Sequence, residues 1–215
     1  MPEVHDGTAH TSRRLFLLAS VIALSYVVSS WIAVPPSVGP LWKATGIALL
    51  AVFAGTRGAR LTALALALSA AGDVALALEP AQWIAGMAAF GLAHLFYLAA
   101  FGTLIRREGL ADSGWIAALA VLVLSAAMLV WFYPGMGALR TPGLLYQCVI
   151  TAMVVSAMLS RAPMQARAGT LVFMLSDCLI ALQLYRHVPP PAGAVWITYA
   201  AAQIMLAWSL TGQRV

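Results

Sequence analysis

Residues 60–80 read RLTALALALSAAGDVALALEP, and Asp73 decides how the run is understood, being the sole charge between Arg60 and Glu79. An α-helix rises 1.5 Å per residue, so about 20 such residues cover the roughly 30 Å hydrocarbon core of a bilayer. The stretch reads as a membrane span with a carboxylate inside it. The rest of the chain has the same character: of 215 residues, 62% are hydrophobic and 9% charged, against roughly a quarter charged in a soluble domain.

Cutting at charges, prolines and glycines predicts eight spans at about 15–34, 41–56, 60–79, 83–105, 114–133, 143–160, 167–185 and 194–212. The expected fold is an all-α polytopic bundle forming one transmembrane domain over 15–212, preceded by a flexible tail over 1–14. The stretch TSRRLFLLAS at 11–20 resembles a twin-arginine signal, but the apolar run from Leu15 to Val34 suits a retained span better than a short signal core. Pro35, Pro36, Pro80, Gly109, Pro134, Pro163 and the prolines at 189–191 mark the breaks.

Eight spans put the N-terminus, the loops after the even-numbered helices and the C-terminus on one side. That side holds Arg13, Arg14, Arg57, Arg60, Arg106, Arg107, Arg161, Arg167 and Arg214, while the other holds Lys43, Arg140 and Arg186. Basic residues collect on the cytoplasmic face, so nine against three predicts two cytoplasmic termini, in a bacterial inner membrane. The net charge of +5 is spread over these flanks and forms no patch with interleaved aromatics, which excludes nucleic-acid binding.

A second aspartate stands in FMLSDCLIALQL, residues 173–184. Laid over the first, it matches as a small residue, Asp, three residues and Ala-Leu, pairing Asp73 with Asp177. Thirty residues upstream of each lie Lys43 in PLWKATG and Gln147 in LLYQCVI. The pattern predicts two parallel four-helix repeats, with each aspartate roughly 9–14 Å inside the outer boundary.

A charged side chain at mid-membrane costs about 2.5–3.5 kcal/mol even on lenient scales. Lys43, Asp73, His94, Tyr97, Tyr146, Gln147, Asp177, Tyr199 and Gln203 all fall in the outer half or middle of their helices, which points to one polar cavity in the bundle. Ala85, Ala89 and Ala93 are the expected close-packing stripe around it. Two of the four histidines, His5 and His10, lie in the N-terminal tail, so a three-histidine zinc site is not expected. No G-x-S-x-G elbow is present. Cys148 and Cys178 read as small hydrophobes. No metal and no cofactor is expected, and the oligomeric state is not readable.

Two carboxylates in a low-dielectric cavity suit acid–base chemistry on a substrate that passes through an oxocarbenium-like cation, one protonated and one ionised. A proton-coupled carrier of small molecules or lipids is the alternative reading, and a helix-linking structural role is a third.

LSAAGDVALAL, the H-x-x-Y-x-x-x-F pattern of His94, Tyr97 and Phe101, AGTLVFMLSDCLIA and YAAAQIM together resemble the lysoplasmalogenase (YhhN-like) family of multi-pass membrane proteins, over helices 2 to 8 in order. The chain departs from the family pattern at Lys43-Ala44, where Lys-Pro is common, and at Cys178, where a small hydroxyl residue is common. The resemblance implies hydrolysis of the vinyl ether of a lysophospholipid, alkenyl-glycerophosphoethanolamine or -choline, to fatty aldehyde and glycerophospho-headgroup. It also implies that Asp73 and Asp177 are catalytic. His94, Tyr97, Tyr146, Gln147, Tyr199 and Gln203 are then expected to position substrate or water, with Lys43 as a contact for phosphate or a partner for Asp73.

Overall fold

The computed structural model describes residues 3–212, whose regular secondary structure is helical, with no strand among them. Eight α-helices follow in order: α1 (Glu3–Ser25), α2 (Gly39–Thr56), α3 (Arg60–Ala77), α4 (Trp83–Glu108), α5 (Gly114–Phe132), α6 (Arg140–Leu159), α7 (Met164–Arg186) and α8 (Ala194–Thr211). Seven of these are long and apolar enough to cross a membrane, and α2 falls outside that set. Its 18 residues GPLWKATGIALLAVFAGT include Gly, Pro, Lys and Thr, which dilute its hydropathy.

The helix ends carry the chemistry their sequence announces. Pro40 sits in the first turn of α2, where its missing N–H is not needed. Gly109 closes α4 at φ 79 and ψ −177, a conformation that essentially only glycine adopts. At the start of the chain the helix begins upstream of the expected span, at Glu3. It passes after Ser25 into a 3-10 turn, Tyr26–Ser30, before Pro35 and Pro36, whose rings disfavour helix in the residues before them.

Each helix buries a stripe at spacings of three and four. On α4 the stripe is Gly86, Phe90, Ala93, His94, Tyr97, Ala100, Phe101 and Leu104. The expected Ala85, Ala89 and Ala93 stripe is off by about one residue: Ala93 is buried, but Ala85 is exposed and Gly86 takes the contact. The reason is steric. A Cβ at Gly86 would meet the Leu76 side chain and one at Gly72 would meet the Phe90 ring, so α3 and α4 each press a side chain against a glycine of the other. The largest interfaces join α3 to α4 and to α2, α7 to α8 and α1 to α2, while α4 packs on α6, α5 on α6 and α2 on α8.

The outward surface is apolar. Leu119, Leu122, Val123 and Val130 of α5 are all exposed, Val130 by 75%, as are Leu17 and Val21 of α1 and Ile84 of α4. Contiguous apolar patches of this extent are rare on soluble monomers, and lipid satisfies them. The chain is an integral, multi-pass membrane protein.

At Gly46 of α2 an added Cβ would run into the backbone of Ala23 in α1, whereas one at Gly102 of α4 meets nothing within 4 Å. Gly46→Val is expected to cost about 1–3 kcal/mol through overpacking, and Gly102→Ala nothing. Thermal unfolding of the purified variants in detergent checks this pair.

Candidate active site

One cavity of about 110 Å³ opens within the bundle, with walls drawn from every helix except α1. The space holds several water molecules on the criterion that one needs roughly 10–15 Å³. Its lining is mostly apolar, with Leu76, Met87, Phe90, Met128, Ile150 and Met174 among the contributors. Into this lining project Asp73 and Asp177, together with Lys43, Tyr146, Gln147 and Tyr199.

Asp73 comes from the buried face of α3, in register with Thr62, Leu66 and Ser69, and is 2% exposed. Its Oδ2 accepts a hydrogen bond from the Tyr199 phenol on α8 at 2.7 Å. Its Oδ1 stands 3.9 Å from Lys43 Nζ on α2. Lys43 also lies over the Trp196 ring, 5.8 Å from its centroid, and the Trp196 indole N–H donates to the Ala23 carbonyl of α1 at 2.7 Å. Four helices thus converge on one carboxylate. Of the two partners expected for Lys43, a phosphate and Asp73, the structure shows Asp73, with Trp196 beside it.

Asp177 comes from α7 and is more open, its side chain 15% exposed. The Tyr146 phenol of α6 donates to its Oδ2 at 2.7 Å, and His94 Nε2 of α4 lies 3.4 Å from the same oxygen. His94 Nε2 is also 3.0 Å from the Tyr146 oxygen. Because Tyr146 gives its proton to Asp177, its oxygen is left to accept from His94, which fixes the histidine proton on Nε2. His94 Nδ1 is buried without a hydrogen-bond partner. Asp177 Oδ1 has none among the described residues.

The remaining expected residues form a layer behind the wall. Tyr97 and Gln203 are fully buried and are not in the lining; the Tyr97 phenol donates to Gln203 Oε1 at 2.7 Å, tying α4 to α8. His94 likewise acts from behind, through Tyr146. Gln147 reaches the wall, but its amide donates to Ser125 Oγ on α5 at 2.7 Å, and Ser125 in turn pairs with Thr151 at 2.6 Å. Phe173 of α7 was not singled out by sequence, yet it links the two aspartate centres. Its ring centroid is 4.8 Å from that of His94 and 5.5 Å from that of Tyr199. Phe90 and Trp196 were missed for the same reason: an aromatic in an apolar helix carries no mark of where it faces.

The arrangement is two carboxylates on one apolar chamber, each bonded by a phenol, one beside the Lys43 ammonium and the other beside the His94 imidazole. That is equipment for moving protons. Among the described residues, no group of three or more His, Cys, Asp or Glu gathers as a metal cluster.

Comparison with known proteins bears on this site. Residues 38–210 match the YhhN family, a stretch that contains every residue of the cavity wall. A protein of Mycobacterium bovis named lysoplasmalogenase is 34% identical over 197 residues, covering 87% of this chain and 76% of the relative. Lysoplasmalogenase TMEM86B of Mus musculus is 33% identical over 201 residues, covering 90% and 85%. The Sus scrofa protein of the same name is 32% identical over 187 residues, covering 82% and 77%. No solved structure matches. With helices α2 to α8 inside the matching region but for the last residue of α8, the chain belongs to the YhhN family.

Proposed function

We propose that this protein is a membrane-embedded hydrolase that cleaves the vinyl ether bond of lysoplasmalogen, releasing a fatty aldehyde and the glycerophospho-headgroup by two-aspartate acid–base catalysis. The observation that carries the reading is the pair Asp73 and Asp177 on the wall of one apolar cavity. The relatives named lysoplasmalogenase support the reaction class.

An enol ether hydrolyses when a proton is delivered to the vinyl carbon remote from oxygen, leaving an oxocarbenium ion that water captures. The partners separate the two carboxylates. Asp73 accepts a hydrogen bond from Tyr199 at one oxygen and has the Lys43 ammonium 3.9 Å from the other, and is the ionised member that stabilises the cation. Asp177 keeps Oδ1 unbonded among the described residues, with Oδ2 held by Tyr146, and carries the proton. Asp177 protonates carbon; Asp73 takes a proton from the attacking water as the hemiacetal forms. Asp177 then removes the hemiacetal hydroxyl proton while Asp73 returns its own to the departing glyceryl oxygen. Both carboxyls end as they began, so the cycle needs no proton from outside the cavity.

His94, Tyr146 and Tyr199 position the carboxylates in this account, while Tyr97 and Gln203 brace α4 against α8. Gln147 shapes the wall beside Tyr146. We further infer eight spans with both termini cytoplasmic, α2 crossing alongside α3, and two parallel repeats with α1–α4 equivalent to α5–α8. Support for the repeats is an exchange between the halves: α8 supplies Tyr199 to Asp73 of α3, and α4 supplies His94 to Asp177 of α7. The helix pairs α4 with α6 and α2 with α8 have the same relation.

Purified protein is expected to release aldehyde from lysoplasmalogen and none from the saturated ether analogue. Asp73→Asn and Asp177→Asn each lower the rate by about 100-fold or more, and Tyr199→Phe by ~10-fold, the worth of a bond to a charged group. Full activity in both Asn variants contradicts the mechanism; no aldehyde from the wild type contradicts the function. For topology, single cysteines placed at Gly109 and Gly137 are expected to react with impermeant maleimide from opposite faces of the membrane.

A further inference from the structure

Three cations, Lys43, Arg140 and Arg186, sit at the end of the bundle that the positive-inside count leaves poor in charge. Lys43 faces Asp73. The other two have no acidic partner: the ion pairs among the described residues are Lys43–Asp73, His94–Asp177 and Arg161–Asp112. Each instead lies on an aromatic ring at the end of α5. The Arg140 guanidinium carbon is 4.6 Å from the Tyr133 ring centroid, and that of Arg186 is 5.9 Å from the Trp131 centroid. Trp131 and Tyr133 are exposed by 49% and 42%, as befits aromatics that mark the level of lipid headgroups.

The cavity reaches this same corner. Phe132, between the two aromatics, lines it, as do Met136, Gly143 and Tyr185. Gly143 lies one turn into α6 from Arg140, and Tyr185 immediately precedes Arg186. The corner is close-packed: a Cβ on Gly135 would collide with the Tyr185 carbonyl, and one on Gly143 would come within 2.9 Å of the Tyr185 hydroxyl. The two guanidiniums, both exposed, are therefore set beside the residues that line this end of the cavity. Arg186 stands nine residues after Asp177 on the same helix, about 14 Å along its axis.

We propose that Arg140 and Arg186 form the subsite for the phosphate of the lysophospholipid headgroup, one of the two roles the sequence leaves open for Lys43. The inference rests on the cavity being the lysoplasmalogen site. Guanidinium suits it because the planar fork matches phosphate oxygens while its face stays on the ring. Lys43, in contact with Asp73, belongs to the chemistry; the arginines belong to recognition.

The test uses the full chain in non-ionic detergent, with alkenyl-glycerophosphoethanolamine and phosphate-free alkenylglycerol as substrates. Combining Arg140→Gln with Arg186→Gln is expected to raise KM for the phospholipid about tenfold or more, to leave its kcat within about twofold, and to leave both constants for alkenylglycerol unchanged. Replacing both by Lys is expected to restore part of the loss, since the charge survives without the fork. An equal loss on both substrates, or an unchanged KM for the phospholipid, overturns the subsite. Equilibrium binding of the saturated-ether lysophospholipid, followed by tryptophan fluorescence, reads the subsite independently of turnover. Wild-type binding that weakens about tenfold in the double variant supports it, even if no vinyl ether is cleaved, a result that would defeat the hydrolase reading alone. Inorganic phosphate binding as tightly as the lysolipid would instead make this a free-anion site and overturn its assignment to the headgroup.

Discussion

A carboxylate buried among apolar helices must find donors, and the architecture is organised around meeting that demand twice. Asp73 meets it with the Tyr199 phenol at 2.7 Å and the Lys43 ammonium at 3.9 Å. Those partners come from α8 and α2, so the bond that makes Asp73 tolerable also draws α8 across the bundle onto α3. Asp177 draws α6 and α4 onto α7 through Tyr146 and His94. Removing either phenol leaves a buried acceptor without its donor, a loss of about 1–3 kcal/mol in an ordinary case. The other walls of the cavity are bulky and apolar, and two of them, Phe90 and Leu76, are seated against Gly72 and Gly86.

The polar groups fall into layers with separate duties. Lys43, Asp73, Asp177, Tyr146 and Tyr199 face the chamber. His94, Tyr97 and Gln203 lie behind it, fully buried, where they act on the wall. Phe90 and Phe173 fill the space between, their rings perpendicular at 6.5 Å. Such close-packed aromatic contacts hold side chains in fixed rotamers, which is what a proton donor aimed at one carbon of a flexible lipid requires.

Much of this was legible in the sequence, for a physical reason: in a membrane protein a polar residue is rare and expensive, so its presence is informative. All nine expected site residues belong to the cavity wall or to the layer touching it. Which residue meets which was not legible. Asp73 and Tyr199 are separated by 126 positions, and periodicity gives a helix face but not the identity of its neighbour. Lys43, near the outer end of its helix, reads equally well as a headgroup contact or as a partner of Asp73, and the structure shows the second. The apolar side of the site, Phe90, Phe173 and Trp196, had no signal at all against a background of 62% hydrophobic residues. The close-packing stripe on α4 was displaced from Ala85 to Gly86 because small residues are so frequent there that alternative registers look alike.

The central claim is that a carboxylic acid in this cavity delivers a proton to the vinyl carbon, and the most direct measurement is hydrolysis of lysoplasmalogen in D2O with mass analysis of the aldehyde. The account predicts one deuterium at the carbon adjacent to the aldehyde carbonyl in every product molecule, with a normal solvent isotope effect on the rate. Aldehyde carrying no deuterium at that carbon would contradict it.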